Sequence, residues 1–125
     1  MTQTQTGVTD EQLVELARGL GWETGDAVAS PAYKYAVVYA TGHPPQRLSW
    51  LRTWEGAGAV QTAMAGLGYE MTLRVGAKGN ASCVFFSRTV MDWSGWEVAG
   101  KSDARTAPEA ICLAARAALG LGGVA

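Results

Sequence analysis

Apolar residues recur at helical spacing in three segments of the chain. The first segment predicts a helix over residues 10–19, the second a helix over residues 56–67, and the third a helix that begins at Thr106. The stripes consist of Leu13, Leu16, Ala17 and Leu20, of Val60, Ala63, Met64 and Leu67, and of Ile111, Ala114, Ala115 and Ala118. Residues three and four apart share one face of a helix, so each segment can bury one side.

Two of these helices carry capping signals at their start. Thr9 is followed three residues later by Gln12, and Thr106 is followed three residues later by Glu109. This spacing is the capping-box pattern, in which the threonine side chain accepts a hydrogen bond from a free backbone N–H of the first turn. Glycines follow each apolar stripe, where helices commonly end.

The strands are predicted from alternation and composition. Residues 69–75 alternate cleanly and predict a half-buried strand that forms a hairpin with residues 82–87. Residues 33–40 are rich in aromatic and β-branched side chains on both faces, which predicts a strand covered on both sides. A further short strand is predicted within residues 93–99.

The fold class follows from the order of these elements. The remaining segments are predicted as loops, because they contain clusters of turn-forming residues or prolines: 23–32, 41–55 and 101–105. Hairpins mixed with helices indicate an α+β fold. Because a strand with two apolar faces needs cover on both sides, we expect a three-layer α/β/α sandwich around a mainly antiparallel sheet of about four strands. No internal repeat of 20–50 residues is apparent.

Length and composition limit the class of protein. The 125 residues are 48% hydrophobic and 17% charged, which predicts one domain over residues 9–125 after a flexible start at residues 1–8. No apolar run is long enough to cross a membrane. The formal net charge of −1 gives no argument for a DNA or RNA polymer as partner.

Metal and cofactor chemistry is not indicated. Cys83, Cys112 and His43 are the only cysteines and histidine, fewer than the four ligands of a structural zinc site, so no metal is expected. Both cysteines are interpreted as buried thiols in a reducing cytoplasm. No nucleophile elbow or phosphate loop is present, and the carboxylates are explained by helix starts or solvent exposure. We therefore predict no catalytic residue and no cofactor.

Tryptophan and arginine together suggest a ligand site. The segment from 41 to 55 carries two arginines and two tryptophans, and its only acid is the last residue, Glu55. Indole rings stack on bases and guanidinium groups grip phosphates, so this composition suits a nucleotide. We predict a pocket built from the 41–55 loop and the start of the third helix, and its candidate ligand-binding residues are Arg47, Trp50, Arg52, Trp54, Trp96, Arg105 and Thr106. Tryptophans can instead fill the core, which is favoured for Trp22 and Trp96, whereas a binding or oligomer surface is favoured for Trp50 and Trp54.

Several of these segments resemble the phage ABA-sandwich domain family. The resemblance covers roughly residues 13–119 and lies in Leu20-Gly21-Trp22, in the Ser49-Trp50 loop before a helix that ends in Gly66-Leu-Gly-Tyr69, and in Thr106-Ala-Pro-Glu-Ala-Ile-Cys112. The resemblance implies an α-β-α sandwich and a phage or prophage protein that acts in the cytoplasm of the infected bacterial host. It implies no particular reaction.

These observations favour two candidate functions. The first is a non-enzymatic, anti-defence binding protein that sequesters a small anionic nucleotide signal, such as a cyclic oligonucleotide or an ADP-ribose derivative. The second is a protein–protein interaction module, or an inhibitor of a host defence protein, that uses the Trp/Arg loop as its interface. In both cases we expect a homo-oligomer.

Overall fold

A computed structural model describes residues 8–30, 33–88 and 96–121, without the side chains of Ala29, Arg88 and Trp96. The elements are α1 (Asp10–Gly19), β1 (Glu23–Ser30), β2 (Tyr33–Tyr39), β3 (Gln46–Arg47), a short 3-10 helix (Leu48–Arg52), α2 (Trp54–Gly66), β4 (Tyr69–Val75), β5 (Ala81–Arg88), β6 (Trp96–Ala104) and α3 (Ala107–Ala118). The chain is thus α+β, as the sequence predicts.

All three helices begin after a threonine cap. The full capping box predicted at Thr9 and Gln12 is confirmed, since each side chain accepts a hydrogen bond from the other residue's backbone N–H. Thr53 caps α2, so this helix starts two residues earlier than its apolar stripe suggests. Thr106 caps α3, and the predicted start of that helix is confirmed.

The strands form two antiparallel sheets. The first sheet has the order β1-β2-β3 and the second sheet the order β4-β5-β6. The antiparallel pairing and the hairpin of β4 with β5 are confirmed. The predictions of about four strands in one sheet and of three stacked layers are not confirmed by the described residues.

Two segments predicted as loops are strands. Residues 23–30 form β1, which pairs with β2 along its length from Glu23 opposite Tyr39 to Ser30 opposite Tyr33. Residues 101–104 extend β6 and pair with β5 up to Ala104 opposite Ala81. Both segments contain weak strand formers, and pairing with a stronger neighbour outweighs their own preference. The predicted loop at 41–55 contains β3, the 3-10 helix and the first two residues of α2.

The core is built around α3. This helix packs against β4, β5 and β6 and also contacts α1, α2 and the 3-10 helix. Gly100 of β6 permits the close approach, because a Cβ at this position would clash with the backbone of Ala118 and Ala114 in α3. The inner face of the second sheet carries the buried Cys83 and Phe85 against this helix.

The same local sequence leads from α1 into β1 and from α2 into β4. Gly-Leu-Gly-Trp-Glu at 19–23 recurs as Gly-Leu-Gly-Tyr-Glu at 66–70, 47 residues later, so the prediction of no internal repeat of 20–50 residues is wrong for this short motif. Gly21 and Gly68 both have positive φ angles, of 83° and 97°, which glycine adopts without strain. Each pentapeptide therefore ends a helix and turns the chain into a hairpin.

Candidate functional site

Arg47 lies on an aromatic cluster of the first sheet. Its guanidinium carbon is 4.2 Å from the centroid of the Tyr35 ring, and its Nη1 donates to the Tyr33 hydroxyl at 3.5 Å. The ring centroids of these two tyrosines are 6.1 Å apart. Arg47 is exposed, and its described partners are tyrosines rather than carboxylates. Its positive charge is therefore not neutralised by a described acidic side chain and can attract an anion.

Arg52 holds the segment before α1. Its Nη2 and Nε donate to the Val8 carbonyl at 2.7 and 3.3 Å, and its Nη2 also lies 2.9 Å from the Asp10 carboxylate. Val8 is buried, with an exposed fraction of 5%, so these bonds satisfy a carbonyl that has little access to water. An anion at Arg52 would have to displace these partners.

Thr106 belongs to the same hydrogen-bonded group through Glu109. The Glu109 carboxylate accepts from the Thr106 hydroxyl at 2.9 Å and from the Val8 N–H at 3.0 Å. The Thr106 Oγ1 in turn accepts from the Glu109 N–H at 3.4 Å, so only the threonine half of the predicted capping box forms. We call Val8, Arg52, Thr106 and Glu109 the Val8 clamp, because two side chains from distant elements bind both backbone groups of Val8.

The tryptophans are in different surroundings. Trp50 packs partly against the core, and its ring centroid is 5.0 Å from that of His43. Trp54 is 62% exposed at the first position of α2. Arg105 is exposed in the bend before α3. Trp96 begins β6, but its side chain lies outside the described residues.

A cavity opens where the predicted loop meets α2. Its volume is about 540 Å³, within the size range of small-ligand sites. Its wall includes Trp22, and His43 contributes from the loop. Polar side chains from the loop and from α2 complete the lining: Thr41, Glu55, Gln61 and Thr62. We call this space the loop–α2 cavity.

The described lining of this cavity borders the predicted 41–55 loop but includes no residue from the start of α3, so it matches only part of the predicted pocket. None of the six candidate residues whose side chains the structure describes lines it, although Trp54 immediately precedes Glu55 and Trp50 contacts His43. Trp22 was interpreted as core and is buried at 6% exposure, yet it also forms part of the wall. Glu55 and Gln61 were missed because a polar residue on a helix is most often solvated. Glu55 and Thr62 were the available signal, because residues seven positions apart lie two turns apart on the same face of α2.

Both cysteines are buried free thiols. Among the described residues, no group of histidine, cysteine and acidic side chains could hold a metal ion. Burial raises the pKa of the Cys83 thiol and of the Cys112 thiol to about 12. Cys112 Sγ donates to the Leu51 carbonyl at 3.2 Å, which ties α3 to the 3-10 helix.

Comparison with known proteins provides no relative from which a function could be transferred. The chain matches no protein-family model, no curated protein and no solved structure. In the part of the chain that the structure describes, no helix has both the length and the apolar character needed to cross a membrane.

Proposed function

We propose that this protein binds a small anionic nucleotide without turning it over, with the base in the loop–α2 cavity. The observation that carries the proposal is the position of this cavity at the loop for which the sequence predicts a ligand site. Its volume of about 540 Å³ suits a nucleoside-sized group. The indole of Trp22 and the imidazole of His43 give the cavity aromatic walls.

The polar lining favours a base that presents N–H groups. Glu55 contributes carboxylate oxygens, which only accept hydrogen bonds when ionised, and Gln61 contributes an amide that both donates and accepts. A guanine edge offers two adjacent N–H donors to a carboxylate and one carbonyl acceptor to an amide. An adenine edge offers one N–H donor group and leaves part of the carboxylate unpaired. The cavity therefore favours guanine over adenine.

Arg47 is the cation that we assign to the phosphate. It follows His43 by four residues, so the two Cα atoms can be at most about 14 Å apart, a span that a nucleotide can cover. Its charge is held over Tyr35 and faces solvent. Arg52 is not assigned this role, because it already donates to Val8 and pairs with Asp10.

The biological setting is part of the same proposal. The resemblance to the phage ABA-sandwich family supports a phage protein that acts in the cytoplasm of an infected bacterium and removes a nucleotide immune signal from solution. A protein with this role needs a preformed cavity and a free cation. It needs no general base. The three-layer sandwich that the family implies belongs to this proposal as well.

A titration panel tests the binding. Calorimetry with cyclic di-GMP, cyclic di-AMP, GMP, AMP and ADP-ribose should give a dissociation constant below about 100 μM for at least one guanine ligand. The adenine counterpart should bind at least about tenfold more weakly, which corresponds to about 1.4 kcal/mol. If none of the five ligands binds in this range, the proposal is wrong.

Two substitutions locate the ligand. Glu55→Gln should remove the preference for guanine, with Glu97→Gln as a control because Glu97 is exposed in β6, away from the cavity lining. Arg47→Ala should weaken binding of every phosphate-containing ligand by about tenfold, with the exposed Arg18→Ala as its control. Binding that is unchanged in both Glu55→Gln and Arg47→Ala would place the ligand elsewhere.

A protein partner is the second candidate function, and one observation favours it. Trp54 is 62% exposed directly before Glu55, and exposed tryptophans are enriched among residues that dominate protein interfaces. In this case none of the five nucleotides binds, and the surface around Trp54 at the start of α2 contacts a host protein. Trp54→Ala would then abolish the protein's effect on phage growth while its stability stays close to wild type.

A further inference from the structure

The outer face of the second sheet has a pattern that fits a copy of itself. Strand pairing places Arg74, Ser82 and Asp103 in one row across β4, β5 and β6, because paired residues of antiparallel strands share a face. Arg74 thus stands at one edge of the sheet and Asp103 at the other. The charges at the two ends of this row are opposite.

The centre of this face is apolar. Thr72, Val84 and Lys101 form the second row, and Phe86 follows Val84 on the same side of β5. In the third row, Phe86 lies between Glu70 of β4 and Val98 of β6, and Val98 is 58% exposed. An apolar centre between charged edges is the usual arrangement of a protein interface.

We propose that two copies of this chain pack with these outer faces together, related by a two-fold axis parallel to the strands. This rotation puts β5 over β5 of the partner and β4 over β6 of the partner. Val84 and Phe86 then meet the same residues of the second copy. Arg74 meets Asp103 of the partner subunit, and the symmetry forms this ion pair twice.

The other simple orientation is less favourable. A two-fold axis across the strands would put Lys101 over Lys101 of the partner subunit and would stack the polar Ser82 on the apolar Phe86. It would pair Arg74 with Glu70 of the partner subunit instead of Asp103. Like charges that face each other are destabilising, so the axis along the strands is preferred.

The chemistry of the face also argues against a small anion as its occupant. A depression of about 440 Å³ lies on this face, with Arg74 and Lys101 in its lining. The same depression contains Asp103, whose carboxylate accepts a hydrogen bond from the Ser82 hydroxyl. A phosphate there would meet this carboxylate, whereas the partner's arginine would be attracted to it.

The size of the face sets the expected affinity. Three strands about 4.8 Å apart and seven residues long cover roughly 340 Å² in projection. Stable interfaces bury about 800 Å² of accessible surface on each partner, so this face lies at the small end. We therefore expect a dissociation constant in the micromolar range.

Charge reversal tests the pairing. Sedimentation of the wild type from about 1 to 500 μM should show a transition from 13.1 kDa to twice this mass. Arg74→Asp and Asp103→Arg should each weaken the dimer at least about tenfold, and the double variant should return to within about threefold of wild type. Ser82→Ala is the control, because it removes only the intrachain partner of Asp103 and should leave the mass unchanged.

Other outcomes would overturn the proposal. Rescue of Arg74→Asp by Glu70→Arg instead of Asp103→Arg would mean that the axis runs across the strands. A wild type that stays at 13.1 kDa would refute the interface. Val84→Lys provides a second probe, since it brings two lysines together at the axis and should give a monomer. Nucleotide binding at the loop–α2 cavity should be unaffected by these changes. Either proposal can therefore be refuted without refuting the other.

Discussion

Arg52→Ala should lower the free energy of unfolding, although the loss of a partly exposed arginine usually changes stability little. The change removes two hydrogen bonds to the buried Val8 carbonyl and the contact with Asp10. A buried carbonyl left without a donor costs about 1–3 kcal/mol. The contact with Asp10 adds at most about 1 kcal/mol, because the side chains are 31% and 72% exposed and solvent screens the pair.

The free energy of unfolding should fall by about 2 kcal/mol, which lies in the lower part of the range that these two contributions allow. Arg52 is partly exposed, so its removal admits water that can replace some of the lost bonds. For a chain of this length, about 2 kcal/mol corresponds to a fall of roughly 6–10 °C in the melting temperature. Urea denaturation should show a lower midpoint with an unchanged slope.

Matched variants separate the clamp from general charge effects. Arg105→Ala removes an exposed arginine beside α3 and should change the free energy of unfolding by less than about 0.5 kcal/mol. Arg52→Lys keeps the charge but cannot make the forked contact, so its effect should be intermediate. If Arg52→Ala and Arg105→Ala are equally stable, Arg52 does not hold Val8 and becomes available as a ligand residue.

Three further predictions concern α3 and the core. Thr106→Ala should cost about 1–2 kcal/mol in thermal unfolding, since the α3 cap and a bond to the buried Glu109 are lost together, and Thr106→Ser should restore most of it. Gly100→Ala should cost about 2–3 kcal/mol by pushing β6 off α3, whereas Gly66→Ala, with no atom within 4 Å of its new Cβ, should be neutral or slightly stabilising. Cys83 and Cys112 should resist alkylation at pH 8 until the chain unfolds. Their folded pKa of about 12 exceeds the ordinary value of 9.0, so unfolded thiols lose protons first and stability should fall as pH rises from 9 toward 12.

The helices were predictable because their signals are local. Thr9 and Thr106 mark starts that depend on side chains three residues away, and the structure places both caps as expected. The strand β1 was missed for the opposite reason. Asp26 and Gly25 give it little preference for a strand, and only the pairing with β2 makes it one. The hydrophobic pattern within one segment cannot show that a strand later in the chain will pair with it.

The candidate site was predictable only in part. The segment 41–55 was selected for its arginines and tryptophans, and the loop–α2 cavity borders it. The sequence could not show that Arg52 is used internally, because its partner carbonyl at Val8 is 44 residues away. It did separate Trp22, assigned to the core, from Trp54, assigned to a surface, but it could not show that the buried Trp22 also forms part of the cavity wall.

The position of α3 in the chain has a consequence for synthesis. This helix fills the centre of the core, yet it follows the six strands that the structure describes, and the contact from Val8 to Glu109 closes a loop of 101 residues. A ribosome therefore releases both sheets before the element that covers their inner apolar residues is available. The nascent chain should expose Phe85 and its neighbours until α3 emerges, and during this interval it should be a substrate for chaperones that bind apolar segments.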